Sequence, residues 1–161
     1  MSRIKWDEAA HVYEDMVSCL LSLLHPESRR IDGAGGDGGR DVRFPMPDGE
    51  HIFELKSFTG RMTKGRRPQV IRSLSRAAEF RPKSWSLVVP IDHTPGEDRW
   101  FQGLQEGVKF PIDWLGKTWL DARIAERPFL PKYFLEGVND KVVELLRELN
   151  SEQAAMSREP R

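Results

Sequence analysis

Cysteine is almost missing from this chain: Cys19 is the only one in 161 residues. No intrachain disulfide and no cysteine-ligated zinc site can therefore form. Its neighbours Val17, Leu20 and Leu21 point to a buried thiol rather than a nucleophile, because a reactive thiolate needs an electropositive setting. Long apolar runs are missing as well. No stretch of about 18 apolar residues exists and the first residues lack a charged-then-apolar leader, so no membrane association is expected and a reducing cytoplasm is the expected compartment. A net charge is lacking: 25 Lys and Arg balance 25 Asp and Glu, which excludes a global basic field for polyanions. Ligand spacing is lacking among the histidines too. His11, His25 and His51 are scattered, which argues against zinc, and His93 beside Asp92 reads as a loop pair rather than a metal site or acid–base dyad. The length supports one domain with a real core, expected over residues 1–150, with a polar, disordered tail or linker expected at 151–161.

What the chain does have is an unusual stretch from Ile31 to Phe58. Five glycines between positions 33 and 39 permit positive φ and close backbone approach, and Asp41 follows at the head of a strand in which Val42 and Phe44 alternate. An Asp48-Gly49 turn then leads into a second strand with Ile52, Glu54 and Lys56 on one face. Two charges side by side within an apolar strand are wrong for a simple core. Antiparallel pairing of the two strands brings Asp41 beside Glu54 and Lys56, so that two carboxylates and an ammonium converge. Such a set suits a hard divalent cation, which takes carboxylate oxygens and keeps several waters. With a lysine to orient water or steady an oxyanion, it also suits phosphodiester hydrolysis. Other glycine-loop chemistries fail on the letters: a P-loop needs Gly-Lys-Ser/Thr where this segment ends Gly39-Arg40-Asp41, and the calcium-binding nonapeptide and EF-hand patterns fail on residue type and spacing.

Asp41, a hairpin and Glu54-Leu55-Lys56 together resemble the D…(D/E)-x-K signature of the restriction-endonuclease-like nucleases. The lead-in Gly36-Asp37-Gly38-Gly39-Arg40-Asp41 is similar to the Gly-Asp-Gly-Gly-x-Asp turn of their Mrr branch. The specific motifs lie within residues 36–56, and the element order extends the likeness over roughly residues 8–120. The resemblance implies Asp41 and Glu54 as metal ligands, Lys56 as the catalytic lysine and Asp37 as a structural turn acid. It also suggests Glu14, beside Tyr13 in the first helix, as a third acid, and Gln69 as a residue bordering the active site; for each of these two, a plain surface role stays open. The implied cofactor is Mg²⁺, with Mn²⁺ as a substitute. The implied activity is DNA endonuclease in a bacterial restriction or anti-phage defence system, double-stranded DNA being favoured although no residue reads a 2′-hydroxyl. The alternative is a catalytically silent nuclease-fold module that binds nucleic acid or serves as a scaffold.

The balanced total charge conceals a local excess. From Lys56 to Lys83 run nine cations against the single acid Glu79, among them Arg61, Lys64, Arg66, Arg67, Arg72 and Arg76. Placed directly after the candidate site, they read as a nucleic-acid-binding field, the plainer alternative being a solvated helix face. The connection from Thr59 to Pro68 reads as a loop mobile without substrate. Periodicity predicts helices at about 6–24, 68–80, 97–107 and 136–150, a strand approach at 28–32, and strands at 85–90 and 108–114. Thr118-x-x-Asp121 reads as a capping box opening a further short helix, and Trp100, Trp114 and Trp119 read as core aromatics. The 85–90 strand is expected beside the catalytic hairpin. The resulting order of helix, three strands, helix, strand, helix, strand, helix predicts an α/β fold, a mixed central sheet flanked by helices, as the restriction-endonuclease-like core requires. No helix-turn-helix or zinc finger is recognisable, so sequence choice would come from a fused or separate specificity or sensor subunit. The regular apolar stripe of the last helix leaves a homodimer open.

Overall fold

The computed structural model describes residues 4–33, 39–137 and 148. Helix α1 spans Tyr13–Leu24, and strands β1, β2 and β3 span Ile31–Gly33, Arg40–Met46 and Gly49–Leu55. Helix α2 (Arg67–Ala78), β4 (Ser84–Val88), α3 (Pro95–Gly103), β5 (Ile112–Leu115), α4 (Lys117–Ala125) and α5 (Phe129–Phe134) follow. The five strands form one mixed sheet in the order β1-β2-β3-β4-β5. The first three are antiparallel, and β4 and β5 add in parallel. The chain is thus an α/β protein with helices on both faces of its sheet, and β4 lies beside the hairpin as expected.

Strand alternation divides the apolar side chains between two cores. Val42, Phe44, Phe53, Leu55 and Val88 pack with α1, α4 and α5. Ile52, Trp85, Leu87, Val89 and Ile112 pack with Val70, Leu74 and Ala77 of α2 and Phe101 of α3. Each large side chain removed from water contributes about 1.5–3 kcal/mol before entropy is charged against it. Trp100, Trp114 and Trp119, read from sequence as core aromatics, are only partly buried and pack against these clusters from outside. Cys19 is buried and its thiol is pushed up to about 11 by burial, which leaves it inert.

Several boundaries differ from the periodicity reading, each for a tertiary reason. Helix α1 begins at Tyr13 rather than Trp6. The Trp6 indole instead donates to Asp121 Oδ1 at 2.9 Å and meets Tyr13 edge-on at 5.9 Å, holding residues 6–12 as turns. Strand β5 begins only at Ile112, because the Gln105 side chain donates to the Phe110 carbonyl (2.6 Å) and accepts from the Ile112 N–H (3.0 Å), closing the intervening residues into a loop. Thr118 opens no capping box. Helix α4 begins one residue earlier, and Asp92 caps it from the loop after β4, accepting from the Thr118 N–H at 2.9 Å and the Thr118 hydroxyl at 2.5 Å. A capping box does form at Thr94 and Glu97, at the start of α3. Helix α2 stops at Ala78, followed by Arg81 at φ 48 and then Pro82. Glu136 and Gly137 form a turn and coil. The rest of the expected last helix apart from residue 148, the 151–161 tail and the glycine turn at 34–38 with Asp37 lie outside the described residues. No helix of the described residues is long and apolar enough to cross a membrane.

Candidate functional site

The hairpin turn sets the geometry. Pro47 and Asp48 form a two-residue loop and Gly49, at φ 137, pairs with Met46; stepping back along the ladder places Asp41 directly opposite Glu54. Residues opposite each other share a face, and this face is the one covered by α2. Lys56 follows β3 directly, its backbone N–H donating to the Val88 carbonyl at 3.1 Å. Its ammonium lies 3.9 Å from Glu54 Oε2, and both side chains are almost wholly buried.

Each carboxylate is held by one oxygen. Arg43, two residues along the strand from Asp41, donates to Asp41 Oδ2 at 3.1 Å. The Arg43 guanidinium stacks on Phe80 at 3.8 Å and lies 3.6 Å from Glu50. The Ser73 hydroxyl of α2 hydrogen-bonds Glu54 and accepts from Arg76 at 3.4 Å. The remaining oxygens, Asp41 Oδ1 and Glu54 Oε2, are buried without a hydrogen-bond partner among the described residues. Buried carboxylate oxygens ordinarily find donors. Burial, reinforced by the Asp41 charge, pushes the Glu54 carboxyl up to about 7, against the opposing pull of Lys56, Arg76 and Ser73.

Two glycines make room for this pair. A Cβ at Gly39 would fall 2.8 Å from Glu54 Oε2 and from the Leu55 carbonyl oxygen, and 2.9 Å from Lys56 Nζ. A Cβ at Gly33 would overlap the Asp41 carboxylate. The glycines flanking the turn thus bring bare backbone against the charged groups, a packing reason for that residue type. The donor set fits a hard divalent cation: two hard oxygens on facing strands, each lacking a hydrogen-bond partner among the described residues, with coordination positions left for water. Among the described residues no group of three or more His, Cys, Asp or Glu could hold a metal, so Glu14, half-buried in the first turn of α1, does not join Asp41 and Glu54 in such a cluster.

Gln69 lies in the first turn of α2, half-buried, and among the described residues its side chain makes no hydrogen bond to Asp41, Glu54 or Lys56. It stands one turn before Ser73, on the same side of the helix. Ser73 and Arg43 are contacts that the letters did not single out: a helical serine and a strand arginine carry no motif signal until the sheet and α2 are assembled. The basic residues separate by role. Arg61 and Lys64 are exposed, and Arg67 lies over Trp100 at 5.0 Å. Arg66 donates to the carbonyls of Thr59 (2.6 Å) and Arg61 (2.8 Å) and lies over Phe58. Arg72 and Arg76 are on the exposed side of α2, Arg76 reaching Ser73. The connection before α2, read from sequence as mobile, is tied down: besides the Arg66 clasp, Met62 is buried and its N–H donates to Glu97 Oε2 at 3.1 Å. His93 pairs with Asp98 at 3.3 Å and packs on Trp114, while its neighbour Asp92 caps α4, so the two form no dyad.

No protein-family model, no curated protein and no solved structure matches this chain.

Proposed function

We propose that this chain is a Mg²⁺-dependent DNA endonuclease with a restriction-endonuclease-like core. The observation that carries the reading is the directly paired Asp41 and Glu54, each with one buried, unpartnered oxygen, beside the buried Lys56. When bound, Mg²⁺ (or Mn²⁺) supplies charge neutralisation at the phosphate and acidifies a water. Arg43 restrains the Asp41 carboxylate, and Ser73, itself bonded by Arg76, does the same for Glu54. Lys56, held with no room to wander, orients the attacking water or steadies the charge that develops on the phosphate. The cations after Lys56 attract the DNA backbone. Gln69 retains only the role the resemblance assigns, a residue bordering the site, and Glu14 is not carried into the proposal as a third acid. A restriction or anti-phage role in a bacterial cytoplasm follows from the same resemblance, with sequence choice supplied by a partner subunit or fused domain.

One observation favours a catalytically silent nucleic-acid-binding or scaffold module instead: Arg43 already neutralises Asp41 without any metal. Cleavage of supercoiled plasmid in Mg²⁺, Mn²⁺ or EDTA separates the two readings. The nuclease reading expects metal-dependent nicking or linearisation, reduced at least about 100-fold by Lys56→Ala and abolished by Asp41→Ala. Absence of cleavage together with equal Mn²⁺ binding by wild type and Asp41→Ala overturns it.

A further inference from the structure

A groove of about 520 Å³ lies between the connection that follows Lys56 and the start of α3. Arg61, Lys64 and Arg67 line it, and the acid in its lining is Glu97. That acid is turned to internal use: Oε1 accepts from the Thr94 N–H at 2.8 Å and Oε2 from the Met62 N–H at 3.1 Å. Burial alone would raise the Glu97 carboxyl, but the Thr94 and Met62 bonds and the nearby Arg61 hold it below the ordinary range. The three cations therefore keep the groove electropositive.

The walls are set before any ligand arrives. Met62 is 2% exposed, and the Arg66 clasp closes the loop on itself through two carbonyls. Arg67 is braced over Trp100, and its buried Nε has no partner among the described residues. At the far wall Pro95 has no N–H, the Glu97 N–H goes to Thr94 Oγ1 and that of Asp98 to the Thr94 carbonyl, which leaves the Gly96 N–H unused by these bonds. A side chain built at Gly96 would meet nothing within 4 Å, so a ligand oxygen has access to that backbone. Arg67 stands six residues before Ser73, about 9 Å along the axis of α2, and Ser73 bonds Glu54.

We propose that this groove is a preformed seat for a backbone phosphate of the nucleic acid, flanking the phosphate that a divalent cation on Asp41 and Glu54 would engage. Arg61, Lys64 and Arg67 make its contacts, and Arg66 shapes the loop without touching the ligand. The choice of nucleic acid as polyanion rests on the nuclease reading; the groove and its charge do not. Contacts of this kind fix the position of the backbone and carry no sequence information.

The test is anisotropy of a short labelled DNA duplex in EDTA, where nothing is cut, over a range of salt. The proteins are wild type, Arg61→Ala/Lys64→Ala/Arg67→Ala, and Arg29→Ala/Lys109→Ala/Lys132→Ala, which removes the same charge from exposed positions outside the groove. The groove variant should bind at least about 10-fold more weakly, with a log K against log salt slope shallower by about 2–3, roughly 0.9 per lost phosphate contact. The control should stay within about 3-fold of wild type. Arg61→Ala/Lys64→Ala, confined to exposed side chains, serves if loss of the Arg67 brace unfolds the triple variant, and should lose about two-thirds of that slope change. Equal losses in groove and control variants, or no DNA binding by wild type, overturn the proposal. Mn²⁺ binding by electron paramagnetic resonance on the same proteins reports the Asp41–Glu54 site separately, so the groove can fail while the nuclease reading stands.

Discussion

Two glutamates of this protein expose almost no surface, Glu97 at the wall of a groove and Glu54 deeper under α2, and they are oppositely treated. Glu97 is 4% exposed and Glu54 2%. Glu97 closes a capping box, also receives the Met62 N–H, and is held below its ordinary pKa. Glu54 has an oxygen with no donor, faces another carboxylate and is pushed up to about 7. The first is what a fold does with a buried acid when stability is the only demand: it surrounds the charge with backbone donors. The second is costly to the fold, and buried ionisable groups left in that condition cluster at working sites. The difference is what singles out Glu54, rather than Glu97, as the candidate for a functional charge.

The comparison can be broken by substitution. The largest effect is expected at Glu97: Glu97→Ala strands two backbone N–H groups and should destabilise the protein by about 2–5 kcal/mol, measured by urea unfolding. A change near zero would show that the clasp between α3 and the Met62 loop is ornamental.

Next comes the pH dependence of the metal-free protein. A carboxyl raised in the folded state binds more protons there than in the unfolded chain between 4.5 and about 7. Glu54 therefore makes stability fall as pH rises through that window, by on the order of 3 kcal/mol, and adds no further slope above it. Glu54→Gln should flatten this component and, above pH 7, leave the protein in EDTA more stable than wild type; on the nuclease proposal it should also lose Mn²⁺ binding. Unfolding curves in EDTA at pH 5 and pH 8 would decide this, and a destabilised Glu54→Gln at pH 8 would contradict the assignment. The smallest effect is expected at Gly39→Ala, where the new methyl meets the Leu55 carbonyl, Glu54 and Lys56. It should cost about 1–2 kcal/mol, read by the same unfolding assay, and should weaken Mn²⁺ binding measured separately.

How far the sequence reached follows from the range of the interactions involved. The Asp41–Glu54 pairing was legible because a two-residue turn fixes register locally, and alternation then assigns faces. The element order and the mixed sheet were legible because periodicity survives in strands and helices with one buried side. The support for the two acids was not. Arg43 acquires meaning only through the Phe80 ring beyond α2, and Ser73 only once α2 lies across the sheet. The cap of α4 was misassigned because its donor-satisfying acid, Asp92, comes from another loop. The Thr94–Glu97 box was written in the letters and was overlooked in favour of a similar pattern.

The hairpin that carries the pair also bears on how the chain folds. A two-residue loop closes with little entropy loss, and hairpins form in about 1–10 μs, ahead of pairings between distant segments. The parallel addition of β4 must wait for the long excursion through α2. Asp41 and Glu54 are therefore pressed together while the Ser73 bond and the sheet's other half are still missing. Mutual repulsion should then act during refolding as a brake, one that protons or divalent cations release, making the order of assembly itself sensitive to the ion the finished site is proposed to hold.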